Sequence, residues 1–370
     1  MIGASTRHPN AHGLYFILCT VALLRSALVT RAPRVTILTL PDSRQIGIFP
    51  ALALWATLAI IFFIFARFGT YGLASGSRAF VATILTFSFL LLLMLLFAAS
   101  DIPDRISALA GPGSAWLLGV ILFFIFLIYA LGTGTASVAR FAAVAAFIFL
   151  PLLLLSTAQT AAPGSWQDLF TLAAIWVAVK FGPSHWVWPY PGGRLAYIFT
   201  VLLAVNIAIA GFLLLRRVKG IGYSIGWGKN WTLYILGALT LFAGIAIPLG
   251  LKIHFLIYSP RIHEWKSFLP LSIAILFFTA WPEELLFRGL LQNFLSHATK
   301  SETAGWIAAS ILFGASHITN MHFPNWRYVL LASIAGLFYG WTWRKTNSIF
   351  ASALVHAAVD ILWHFLFLTP

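Results

Sequence analysis

Residues 80–99 read FVATILTFSFLLLLMLLFAA, twenty positions without a charge. A bilayer core of ~30 Å is crossed by about 20 apolar residues in a helix. Comparable runs recur: Ile48 to Ala66, Ala115 to Leu131, Phe141 to Ala158, Ala196 to Leu215, Trp231 to Leu251, Phe268 to Leu295, Trp306 to Ile318, Tyr328 to Trp343 and Ile349 to Phe367. The expected fold is therefore all-α, a polytopic membrane bundle of about ten transmembrane helices. Unpaired backbone groups are not tolerated in lipid, and these runs are far too long for the strands of a β-barrel. Leu169 to Phe181 is too short to span and is expected to lie in the interface or re-enter.

Composition agrees. Of 370 residues 61% are hydrophobic and 9% charged, with mean hydropathy +0.93, where a soluble domain carries roughly 25% charge. The net charge of +14 sits between apolar runs, where it sets orientation rather than marking a nucleic-acid partner. Arg216, Arg217, Lys219 and Lys229 form the strongest basic loop and are placed in the cytoplasm, with Arg344 and Lys345 on the same side. The loop Lys252 to Lys266, itself basic, then falls outside. Cys19 is the single cysteine, so neither an intrachain disulfide nor a Cys-based metal cluster is available.

Three regions are expected. Residues 1–47 hold Arg7, an apolar run from Leu14 to Leu24, and Arg25. They resemble a signal or anchor without a clean small-x-small cleavage pattern, either an uncleaved anchor or a stretch with no structural role. Residues 48–182 form an N-terminal helical region whose role is not legible. Residues 183–370 form the C-terminal membrane region, opening with Pro183 to Arg194 (PSHWVWPYPGGR), which reads as a headgroup-level loop with an aromatic belt.

The nine acids divide sharply. Asp42, Asp101, Asp104, Asp168, Glu264 and Glu302 fall in loops or at segment ends, where solvation is expected; Glu283, Glu284 and Asp360 fall inside apolar helices. A carboxylate at bilayer depth costs roughly 2.5–3.5 kcal/mol on insertion scales, and such residues mark ion paths, proton relays or catalytic sites. His317, His356 and His364 also lie in apolar segments. A membrane histidine alone is commonly a packed, hydrogen-bonded residue, and His364 is read as one near the membrane edge.

Residues 282–289 read PEELLFRG. Glu284 and Arg288, four apart, share a helix face and can pair. Glu283 points ~100° away and has no local partner. Pro282 is expected to kink or restart the helix, leaving both acids near a local N-terminus. Phe313 and His317 are four apart, as are His356 and Asp360, so Asp360 can fix the tautomer of His356. A purely structural ion pair in a bundle is the plain alternative for Glu284 and Arg288.

Glu-Glu-x-x-x-Arg at 283–288, Phe-x-x-x-His at 313–317 and His-x-x-x-Asp at 356–360, in that order, resemble the CPBP family of intramembrane proteases. That family includes the type II CAAX prenyl proteases and bacterial bacteriocin-processing or immunity proteins. Phe287-Arg288-Gly289, Leu290-Leu291-Gln292, and Gly336, Gly340, Thr346 and Ser348 agree with the family's flanking pattern. The resemblance covers about 268–367, the expected catalytic domain. It implies an intramembrane endopeptidase, a hydrolase of the glutamate or metallo type, acting on a membrane-associated peptide or protein, prenylated or not. In it Glu283 resembles a general base assisted by His317, Glu284 and Arg288 a supporting ion pair, and His356 with residue 360 the oxyanion-stabilising groups. The family frequently has Asn where this chain has Asp360; an ionised Asp cannot donate. No cofactor is favoured; the alternative is zinc held by Glu283, His317 and His356 with one open position. Two other functions compete: a non-catalytic partner-binding or immunity-type protein, and a proton-coupled transporter. The expected location is the bacterial plasma membrane. Substrate identity and oligomeric state are not readable.

Overall fold

The computed structural model describes residues 43–68, 76–100 and 102–369. The anchor-like stretch through Asp42, Cys19 included, and Asp101 lie outside the described residues.

The expected helices form. In chain order they are α1 (Ile48–Phe68), α2 (Arg78–Phe97), α3 (Ile102–Ala110), α4 (Gly113–Gly132), α5 (Val138–Ser156), α6 (Trp166–Phe181), α7 (Gly193–Leu215), α8 (Trp231–Lys252), α9 (Lys266–Thr299), α10 (Glu302–Ala315), α11 (Trp326–Thr346) and α12 (Ile349–Leu366). Eight of them, α1, α2, α4, α5, α7, α8, α9 and α12, are long and apolar enough to cross a bilayer. The other two expected spans are helices as well: α10 has 14 residues, and α11 has 21 but carries Arg327, Arg344 and Lys345. Phe63, Ile64 and Phe65 on α1, Leu117, Phe124 and Leu131 on α4, and Leu233, Leu236 and Leu241 on α8 are exposed. So wide an apolar exterior is what a protein solvated by lipid presents. The chain is an integral membrane protein.

Two short antiparallel pairings tie loops together: β1 (Ser43–Gln45) with β2 (Gly226–Gly228), and β3 (Ile257–Tyr258) with β4 (Phe367–Leu368). The first links the approach to α1 with the approach to α8. The second fastens the end of the chain beside the loop before α9.

The larger apolar core runs from Ala51 through α2, α4, α5 and α7 to Trp281, Leu290 and Ala357, across both the N-terminal and C-terminal regions. A second core gathers Trp231, Ile235, Phe287, Phe313, Tyr339 and Val355 around α8–α12. Small residues let the helices of this second group approach closely. A Cβ on Gly336 of α11 would lie 3.0 Å from the Cα of Ser310 on α10, and one on Gly314 would lie 2.5 Å from the Val329 carbonyl oxygen.

Three features depart from expectation. Asp168 is buried rather than solvated, as is Arg216, and the two pair at 2.8 Å. Asp168 also forms a capping box with Ser165 at the start of α6, and Arg216 further donates to the carbonyls of Ala158 and Ala161. Each buried charge thus gains both an opposite charge and hydrogen-bond partners, as burial requires. Second, Trp188 does not serve an aromatic belt. It is buried edge-on against Phe126, Tyr129 and Phe199, while the Tyr129 hydroxyl donates to the Tyr190 carbonyl at 2.6 Å. Trp186 remains exposed. Third, Arg217, Lys219, Lys229, Arg344 and Lys345 line one cavity of about 1000 Å³, so they share one end of the molecule, while Arg216 is withdrawn from that basic set.

Candidate active site

Pro282 does not break α9. Residues on either side keep helical dihedrals, Ala280 at φ −62°, ψ −51° and Leu285 at φ −58°, ψ −49°. The helix widens instead: Leu276–Ala280 and Leu285–Gln292 are π-helical and bracket the turn that holds the acids. A proline lacks the N–H for the interior hydrogen bond and its ring crowds the preceding turn, and a wider turn relieves both. The acids therefore sit midway along a continuous helix, not at a free N-terminus as expected from sequence.

The two adjacent acids have opposite surroundings. The Glu284 side chain is fully buried and its carboxylate is surrounded by donors: Arg288 Nε at 3.1 Å, His356 Nδ1 at 2.9 Å and Ser352 Oγ at 2.5 Å. The Arg288 guanidinium lies 4.8 Å from the Phe313 ring centroid and 5.8 Å from that of Tyr339. Cation–π contacts thus share its charge with Glu284. The Glu283 side chain keeps 30% exposure and has no Arg partner. Its nearest cationic candidate is His356, whose Nε2 is 3.9 Å from Glu283 Oε2.

His356 is oriented by Glu284. A carboxylate accepts only, so the 2.9 Å contact places a proton on Nδ1. Asp360, expected from its spacing to fix the tautomer, instead approaches Nε2, at 3.6 Å. The ring stacks on Tyr339 at 4.5 Å and 17° and meets the edge of Phe313 at 5.6 Å. The Glu284 contact bridges 72 positions of sequence and comes from the packing of α9 against α12. Ser348 starts α12 by capping it, accepting from the Ala351 amide.

His317 lies two residues past the end of α10. Its Nδ1 bonds to the Phe313 carbonyl at 2.8 Å, which gives Nδ1 the proton and leaves Nε2 of the neutral ring as an acceptor. Phe313 and Tyr328 flank the ring at 4.8 Å each.

Glu283, His317, His356 and Asp360 line one cavity of about 300 Å³ whose other walls are largely apolar side chains of α8, α11 and α12. Glu284 and Arg288 stand behind it. A smaller cavity of about 120 Å³ between α6, α7 and α9 adjoins the first, sharing Lys180, Tyr197, Thr279, Glu283, His317 and Asn320. His364 is turned away, 3.6 Å from Glu264. Sequence reasoning missed Lys180, Tyr197, Asn320, Tyr328, Ser352 and Tyr339. Lys180 on a short helix carried the one available signal, a cation near the end of an apolar run. Among the described residues no group of three or more His, Cys, Asp or Glu side chains is gathered as a metal site.

Carboxylates and imidazoles converging on one cavity inside a polytopic helical bundle are what an ion path, a proton relay or a catalytic site presents. The comparison with known families is specific. Residues 265–362 match the model of the type II CAAX prenyl endopeptidase Rce1-like family, as the motif resemblance anticipated. This stretch is thus similar to the domain of CAAX-type intramembrane proteases, a family of hydrolases. No curated protein and no solved structure matches the chain.

Proposed function

We propose that this protein is an intramembrane endopeptidase that hydrolyses a peptide bond of a membrane-associated substrate with water activated by Glu283. The observation that carries this reading is the division between neighbours: Glu284 is fully buried and saturated with donors, while Glu283 opens into the cavity. Pairs of carboxylates with opposed environments are how one site holds a structural or stabilising charge beside a working base.

In this mechanism Glu283 takes a proton from water as the water oxygen attacks the peptide carbonyl carbon. His317 Nε2 accepts the water's second hydrogen bond and orients it. With protons on both nitrogens, His356 donates Nδ1–H to Glu284 and Nε2–H to the developing oxyanion. Glu283, Glu284 and Asp360 surround and balance that imidazolium. The tetrahedral intermediate collapses with cleavage of the C–N bond, and the proton held by Glu283 passes to the departing amine. No step is routed through a metal. The apolar cavity walls suit a lipid-associated peptide, and the bacterial plasma membrane is the proposed location.

The test is cleavage of a panel of prenylated and unmodified membrane peptides by the purified protein and by Glu283→Gln, with and without chelator. The expected result is a loss of about 10²–10⁴-fold in the variant, the range for removing a general base, and no effect of chelator. Cleavage surviving in Glu283→Gln would sink the proposed role. Loss on chelation in the native protein would move the chemistry to a metal.

A further inference from the structure

Lys180 stands one residue from the end of α6, outside residues 265–362 that match the protease family. It lines both cavities that meet at Glu283. Its ammonium donates to the Asn320 carboxamide oxygen. Among the described residues no carboxylate lies within ion-pair distance of it. An ammonium has three N–H donors, so two are left for a ligand.

Both ends of this arrangement are built. Asn320 is held by its own amide, which donates to the His317 carbonyl at 2.9 Å, and by its carbonyl, which accepts from Asn325 Nδ2 at 3.1 Å. On the other side α6 is anchored at its start by the capping box and the buried Asp168–Arg216 pair. From Asp168 twelve residues of helix, ~18 Å at 1.5 Å per residue, deliver Lys180 to the cavity. The other charged groups facing the cavity are Glu283 of α9 and His356 and Asp360 of α12, with His317 beside Asn320. Lys180 is the one lysine or arginine among the residues lining this cavity. A cation in largely apolar walls attracts negative oxygen far more strongly than one in water.

We propose that Lys180 is an anion-binding residue of the site, its ammonium taking a negatively charged oxygen of the bound peptide. The inference rests on the peptidase reading. Two oxygens have this chemistry: the oxyanion formed at the scissile carbonyl and the C-terminal carboxylate of the substrate. In either case the N-terminal region completes the active site of the C-terminal domain.

The experiment compares full-length wild type, Lys180→Met, Lys180→Arg and Asn320→Leu on matched peptides ending in a free carboxylate or in an amide, across pH. An oxyanion donor predicts that Lys180→Met loses about 10²–10³-fold in kcat, equally on both peptides. A carboxylate site predicts that wild type prefers the free acid and that Lys180→Met raises KM about 10–100-fold for that peptide alone, the range for a charge-assisted hydrogen bond. Lys180→Arg restores part of the loss in both cases. Asn320→Leu, which keeps the lysine but frees it, shows a smaller loss of the same pattern, and it reads the proposal if Lys180→Met fails to fold. A change under threefold on both peptides overturns the proposal. So does recovery of Lys180→Met to the undiminished wild-type rate as pH is raised, which would make Lys180 only a counter-ion for Glu283. Glu283→Gln is run alongside: cleavage surviving there refutes the peptidase reading itself, independently of Lys180.

Discussion

Glu284→Gln replaces one oxygen by NH₂ and removes the charge on which three buried groups converge. Arg288 is fully buried, and its two terminal nitrogens have no hydrogen-bond partner. Without the Glu284 charge only the faces of Phe313 and Tyr339 remain opposite it. Removing one partner of a buried ion pair costs ~3–5 kcal/mol. The glutamine oxygen can still accept from Arg288, which returns ~1 kcal/mol. The expected destabilisation is therefore about 2–4 kcal/mol. The amide must also present either oxygen or NH₂ to His356 Nδ1, so the tautomer now set by the carboxylate is no longer enforced. Removing both charges together should recover stability, because no uncompensated ion is left. Unfolding of wild type, Glu284→Gln, Arg288→Met and the double variant in mixed micelles gives the cycle. A coupling of about 2 kcal/mol or more, with the double variant less destabilised than the sum, is the expected result. Effects that add within ~0.5 kcal/mol would refute the argument that these charges hold one another in the core.

Asp360→Asn should keep cleavage within about tenfold, since an amide can still meet His356 Nε2 and can also donate, whereas Asp360→Leu should lose the 10²-fold or more typical of a missing polar group at an active site; steady-state kinetics on one peptide decide. Gly314→Ala puts a Cβ 2.5 Å from the Val329 carbonyl oxygen and against Ser333. It should cost ~1–3 kcal/mol by forcing α10 from α11, and lower kcat by shifting His317, whereas Gly237→Ala, with nothing within 4 Å, should unfold no more readily than wild type. Asp168→Asn leaves Arg216 buried without its counter-charge but with an amide oxygen still to accept from it, and should cost ~2–4 kcal/mol. Because that pair anchors α6, the variant should also lower cleavage with the same peptide dependence as Lys180→Met.

Sequence alone determined the membrane class, the helices and the acids and histidines set within them. Apolar run length is a one-dimensional quantity, and acids within such runs stand out because their burial is costly. The pairing of Glu284 with Arg288 was equally legible, since spacing of four along a helix is local and survives the π-helical widening. What sequence could not decide is which groups meet across helices. Spacing joined His356 to Asp360, but the packing of α9 on α12 gives the Nδ1 of His356 to Glu284, 72 residues away. Pro282 suggested a helix restart, yet the surrounding bundle holds the backbone helical and takes up the strain in two wide turns. Asp168 looked solvated because it opens a segment; only the fold shows Arg216 reaching it. Lys180 had no motif at all, because its place in the cavity depends on how α6 is anchored against α7 and α9. Local spacing fixes what neighbours on one helix can do, and tertiary packing alone chooses the partner when two charges are brought together from distant parts of the chain.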